Sequence, residues 1–145
     1  MSHRSLPSLF AMSLAVAASG ATASPTAPVI AIDTGNVAGS TDAGVTSWKG
    51  IPFAAPPVGK LRWRPPAPAK PWPGVRQANA YAADCMQVPF PSDAAPLGTT
   101  PGEDCLYLNV WKPADAKGLL PVIVWIYRGG FVNGGASPPT YSGAE

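Results

Sequence analysis

The stretch "WIYRGGFVNGG", Trp125 to Gly135, holds the residues best placed to do chemistry, because an apolar run gives way there to Gly129 and Gly130. Consecutive glycines carry no Cβ, so their backbone N–H groups can converge on a negatively charged atom. Arg128 stands directly in front of the pair. A guanidinium in that place either obstructs the loop or offers an anion extra donors, and the sequence leaves both readings open. If the backbone needs positive φ at Arg128, a residue with a Cβ costs about 1 to 2 kcal/mol there.

The elements that must position this loop read mostly as strands. "VIVWIY", Val122 to Tyr127, is unbroken, apolar and rich in β-branched residues, which predicts a strand covered on both faces. "CLYLNVWKP" alternates from Leu106 to Trp111 and predicts a strand stopped at Pro113. Upstream, "PVIAIDTGNVAGS" and "GVTSWKGIPFA" predict small antiparallel strands. Between Pro52 and Pro73 the chain has too many prolines for a helix or a central strand. Phe53, Leu61, Trp63 and Trp72 in that stretch predict a loop pinned over a core rather than a solvated linker, at roughly 1.5 to 3 kcal/mol for each side chain buried. No segment beyond the N-terminus shows a long helical period.

The chain has 145 residues, only 12% of them charged, which excludes a disordered polyelectrolyte and allows one domain or part of a larger one. Its first residues, "MSHRSLPSLFAMSLAVAASGATASPTAP", carry Arg4, an apolar stretch from Leu6 to Ala18 and the small-x-small triplet Ala21-Thr22-Ala23. That pattern predicts a secretory signal, residues 1–23, with the exported chain running from Ser24 to Glu145, secreted or periplasmic. The apolar stretch is shorter than the roughly 20 residues that a membrane span needs. The formal charge of +2 falls to +1 without Arg4, and the remaining Lys and Arg are scattered, so no nucleic-acid partner is expected. Cys85 and Cys105 both lie in the exported part, where an oxidising compartment favours a disulfide over two free thiols.

Three stretches together carry a resemblance: "GIPFAAPPVGKLRWRPP" (Gly50 to Pro66), "EDCLYLNVW" (Glu103 to Trp111) and "VIVWIYRGGFVNGGAS" (Val122 to Ser137). In order and spacing the chain from Val29 to Glu145 resembles the N-terminal portion of a type-B carboxylesterase, the cholinesterase-like branch of the α/β-hydrolases. The resemblance implies an α/β fold of which the chain holds small antiparallel strands, a Pro-rich loop and the first strands of the central sheet. It also implies a buried ion pair between Arg62 and Glu103, and a disulfide between Cys85 and Cys105 closing a loop at the rim of the active-site gorge. Phe90 is the only aromatic inside that loop, where a cationic ester would need an aromatic face. The implied substrate is therefore a small-molecule carboxylic ester other than a choline ester, with no cofactor, metal or membrane partner. Gly129 and Gly130 take the family's oxyanion-donor positions, and Arg128 occupies the place of the first of its three glycines.

The family's reaction passes through an acyl-serine intermediate, which needs a nucleophile, a base and a carboxylate. No G-x-S-x-G elbow occurs in the chain. "GASPP" sets Ser137 after Gly135 but has Pro139 where a second glycine belongs, and the only histidine is His3. The expectation is a chain that ends before the nucleophile elbow, carries the oxyanion loop without a triad and is inactive alone, with Val122 to Tyr127 left unpaired and uncovered. The competing readings are a non-catalytic secreted binding module and a fragment that docks with a separately encoded remainder.

Overall fold

The computed structural model describes residues 27–144 except 89, 91 and 94. The proposed signal sequence, residues 1–23, lies outside the described residues. Among the described residues, six strands form two small sheets. In the first sheet β1 (Val29–Ile32) pairs antiparallel with β2 (Gly35–Ala38), which pairs parallel with β5 (Val75–Gln77). In the second, β4 (Val45–Pro52) lies between β3 (Ser40–Asp42) and β6 (Tyr107–Pro113), antiparallel to both. Among the described residues there is no α-helix, and the Pro-rich stretch contributes one short 3-10 turn at Gly59–Leu61.

Local chemistry explains these elements. The β3–β4 hairpin turns on Ala43 and Gly44, both at positive φ (44° and 81°). Two successive positive φ values make the turn whose twist matches that of the strands it joins. The β4–β6 ladder is interrupted between Trp48 and Ile51. Gly50 sits in that bulge at φ 69°, where its N–H donates to Asn109 Oδ1 at 2.9 Å in place of a backbone partner. Lys49 N–H reaches across to the Ala78 carbonyl (2.7 Å) and Ala78 N–H to the Ala38 carbonyl (2.7 Å), which ties the two sheets together.

The core lies where these ties meet. Val37, Trp48, Ile51 and Ala78 are buried there, with Ile32 and Trp72 packed against them. Trp48 satisfies its indole by donating to the Pro28 carbonyl at 3.2 Å, and Trp72 does the same to the Asn36 carbonyl at 2.9 Å. Of the four apolar groups expected to pin the Pro-rich loop, Trp72 is the one that reaches this core. Phe53 is 53% exposed and Trp63 95% exposed, while Leu61 is only partly buried. The loop is instead fastened at its two ends by backbone bonds, Ala55 N–H to the Ala67 carbonyl (2.8 Å) and Trp72 N–H to the Thr34 carbonyl (3.0 Å).

Downstream, Val122 to Tyr127 has the composition of a strand covered on both faces but is unpaired, as expected for this chain, and forms no strand in either sheet. Val122, Ile123, Val124 and Ile126 are each 80% or more exposed. Apart from Trp125, whose ring centroid lies 5.7 Å from that of Tyr141, the run has little to pack on and no hydrogen-bonding edge among the described residues, so its composition alone does not make it a strand.

Candidate functional site

The glycine loop begins where that exposed run ends. Gly129 has φ 136° and Gly130 φ 60°, and Phe131 follows at φ 63°. A methyl group added to Gly129 would run into the carbonyl of Asn133, so this position requires glycine sterically as well as conformationally. The Gly129 carbonyl accepts from Val132 N–H (3.0 Å) and Asn133 N–H (3.2 Å), which folds 129–133 into a tight turn. The Gly129 and Gly130 N–H groups donate to no acceptor among the described residues, and Gly130 faces open space.

Arg128 has no positive φ, so the backbone strain that its Cβ would have raised is absent. Its side chain turns to Asp93, with Nη2 donating to Oδ1 at 2.9 Å, and its Nε donates to the Tyr141 hydroxyl at 3.0 Å. The guanidinium is therefore engaged on both edges.

The rest of the loop is held by the segment from Asp84 to Thr99. Asp93 Oδ2 accepts from Asn133 Nδ2 at 2.8 Å. Gln87 pairs with Gly134 as a strand residue would, its Oε1 accepting the Gly134 N–H and its Nε2 donating to the Gly134 carbonyl, both at 2.7 Å. Asp84, buried at 5% exposure, accepts from Ala136 N–H (2.9 Å), Ser137 N–H (3.2 Å) and the Thr99 hydroxyl (3.0 Å), and its carboxylate takes a very short bond from Ser137 Oγ. Ser137 Oγ in turn accepts the Gly98 N–H at 2.8 Å. Buried polar oxygens need hydrogen-bond partners, and here all of the donors come from the two loops. Ser137, buried, thus joins the two loops, its hydroxyl on Asp84 and on the Gly98 N–H.

Cys85 and Cys105 are joined in a disulfide, with Cα atoms 5.0 Å apart, so most of the segment that grips the glycine loop belongs to a closed covalent loop. Arg62 and Glu103 form an ion pair at 2.9 Å, but their side chains are 53% and 40% exposed. That contradicts the expected burial: nothing among the described residues covers the pair, and it contributes at most about 1 kcal/mol. A cleft of about 490 Å³ opens between the disulfide loop and Asn133, lined by Gln87, Phe90, Asp93, Leu97 and Thr99. A smaller one of about 120 Å³ lies behind Ser137, beside Tyr81, Tyr107 and Tyr127. Burial pushes the Tyr81 and Tyr107 phenols above their ordinary value; the nearby Asp104 adds to the effect at Tyr107 and Arg76 opposes it. No cluster of His, Cys, Asp or Glu among the described residues could hold a metal ion.

Of the glycine turn it is Asn133 that lines the larger cleft, while the Gly129 and Gly130 N–H groups are left without an acceptor among the described residues. The carboxylesterase family model matches residues 26–145. The chain belongs to the carboxylesterase family. It is 49% identical over 102 residues to the fumonisin B1 esterase of Sphingopyxis macrogoltabida, covering 69% of this chain and 18% of that protein. It is 43% identical over 121 residues to the para-nitrobenzyl esterase of Bacillus subtilis (strain 168), covering 81% of this chain and 24% of the relative. With the acetylcholinesterase of Bungarus fasciatus it shares 41% over 125 residues, 79% of this chain and 21% of the other. A solved PNB esterase superposes with a TM-score of 0.74 at 43% identity, over 81% of this chain and 24% of that one. The fold is accordingly the N-terminal part of an α/β-hydrolase, and the chain spans about a fifth to a quarter of the length of the relatives it matches.

Asp84, Gln87 and Asp93 are the site residues that sequence reasoning passed over. Asp84 and Gln87 flank Cys85, so the "DCMQ" context was the available signal; Asp93 lies in "PSDAAP", which reads only as a turn.

Proposed function

We propose that this chain supplies the oxyanion loop of an exported serine carboxylesterase, with Gly129 and Gly130 as the donors. In ester hydrolysis through an acyl-serine, negative charge builds on the carbonyl oxygen as the tetrahedral intermediate forms. Two N–H groups fixed beforehand at that oxygen stabilise it without reorganising, and removal of one such donor typically costs about 3 to 4 kcal/mol of barrier. The observation that carries the reading is the pair of adjacent N–H groups, Gly129 and Gly130, that donate to no acceptor among the described residues, on a turn held by the Gly129 carbonyl, Asn133 and Gly134. The disulfide supports export to an oxidising compartment.

The substrate is a small carboxylic ester, and the disulfide loop, with Phe90 as its sole aromatic and no tryptophan, disfavours a choline head group. Neither a G-x-S-x-G elbow nor a histidine beyond His3 occurs in the sequence, and Ser137 is bound to Asp84, so the chain by itself is inactive. Residues 122–127, exposed and apolar, weigh against an independent binding module, which would not keep such a surface in solvent. The test is hydrolysis of para-nitrophenyl acetate by the purified chain. No turnover above the buffer rate is expected; sustained turnover that survives purification and disappears in Gly130→Pro would overturn the reading of inactivity.

A further inference from the structure

Arg128 occupies the position before the donor glycines, and its contacts give it a use. We propose that Arg128 and Asp93 form a charged latch that fixes the Gly129–Gly130 turn to the disulfide loop, making both of them positioning residues for the oxyanion donors. The proposal rests on the oxyanion reading of those glycines.

A single carboxylate grips both ends of the turn. Asp93 Oδ1 takes Arg128 Nη2 at 2.9 Å, immediately before Gly129, and Oδ2 takes Asn133 Nδ2 at 2.8 Å, immediately after Val132. Asn133 closes the ring by donating its own N–H to the Gly129 carbonyl at 3.2 Å. The second hold on Arg128, from the Tyr141 hydroxyl at 3.0 Å, fixes the guanidinium plane and with it the direction in which the side chain leaves the backbone. Asp93 is fixed from behind: Oδ1 also accepts the Ala95 N–H at 2.9 Å, and the residue lies within the loop that the Cys85–Cys105 bond closes.

Burial makes this more than an exposed surface pair. The Asp93 side chain is only 12% exposed, so its charge is largely removed from water and depends on its donors, while Arg128 at 59% remains open to solvent and salt. The pair also has an electrostatic consequence for the site. A carboxylate beside a developing oxyanion would repel it, and the Arg128 charge cancels that of Asp93 where the donors must work. Positioning and neutralisation thus come from the same contact.

The experiment is amide hydrogen exchange by NMR on the ¹⁵N-labelled full chain, comparing wild type with Asp93→Asn, Arg128→Gly and the double variant. Each single substitution should speed exchange of the Val132 and Asn133 amides about fivefold, and the double should go no further than either alone. In wild type, raising NaCl to 1 M should produce the same acceleration, and in the variants it should produce almost none. A merely structural side chain would not respond to salt in this way. Unchanged exchange in the single variants, or effects that add in the double, overturns the latch. The Lys49 and Ala78 amides, which bond to the Ala78 and Ala38 carbonyls in the core, report whether a variant has folded. Where one has not, the wild-type salt titration decides, and exchange independent of salt overturns the proposal. Methylphosphonate, added to wild type as an oxyanion probe, should shift the Gly129 and Gly130 amides. If the latch behaves as described and those amides do not move, the oxyanion reading fails and the latch stands.

Discussion

Two apolar stretches of this chain have opposite fates. β4, "VTSWKGIP", is the more polar of them, yet its residues from Thr46 to Ile51 are buried or nearly so. "VIVWIY", far more hydrophobic, stands in solvent. The difference is partners. β4 has a neighbour on each edge, and Trp48 and Ile51 share a face with Val37 and Ala78. Val122 to Tyr127 has no strand at its edge among the described residues, and only Trp125, against Tyr141, and the partly covered Tyr127 find something to pack on. Hydrophobicity supplies a driving force, but burial needs a complementary surface to receive it.

The glycine turn joins the second stretch yet behaves like the first. It takes its shape from Asp84, just before the disulfide, and from Gln87 and Asp93 inside the loop that the disulfide closes. The site is therefore built by polar bonds between two loops, not by the strand that leads into it.

The largest test of this contrast is in the core. Trp48→Ala should destabilise by about 3 to 5 kcal/mol, because it removes a buried side chain that touches both sheets and opens a cavity that the small core cannot refill. On so small a domain that should abolish cooperative unfolding, as read by urea denaturation. Next comes the covalent loop: reducing Cys85–Cys105 should lower stability by about 3 kcal/mol. It should also loosen residues 128–137 more than β1 or β2, which limited proteolysis would detect.

Asp84→Ala follows, at about 2 to 3 kcal/mol, since it leaves the Ala136 and Ser137 N–H groups without their acceptor inside the structure. Asp84→Asn should cost less. Smaller again is an alkaline effect. The Tyr81 and Tyr107 phenols are raised by burial above the unfolded value near 10. The folded form thus holds its protons longer, and the stability this contributes is intact below about pH 10 and lost as the pH rises through the folded values. A pH series of denaturation midpoints should be flat with respect to these groups at neutral pH and fall above pH 10. The least effect is expected at Ile123→Lys, within about 0.5 kcal/mol, because that side chain buries almost nothing. The same change should reduce aggregation, seen by light scattering, since it places a charge on an unpaired apolar edge.

Much of the first half was legible in the sequence. Alternation and turn residues located β1, β2, β4 and β6, but not the three-residue β3, and Pro113 closes β6 as its missing N–H requires. The parallel pairing of β5 with β2 was not legible, because three residues after a Pro-rich loop carry too little pattern. Trp63 misled for a physical reason: a large aromatic side chain signals burial somewhere, and nothing among the described residues supplies the place. Motifs located the paired glycines and the two cysteines, whereas the groups that orient the turn are a Gln and two Asp whose roles arise only from long-range contact.

The direct test of the contrast is hydrogen exchange measured residue by residue along both apolar stretches. Amides of β4 and β6 such as Trp48, Ile51 and Val110 should be protected at least about a hundredfold, and those from Val122 to Ile126 should exchange within about tenfold of an unstructured chain. Protection of Val122 to Ile126 equal to that of β4 would contradict the account.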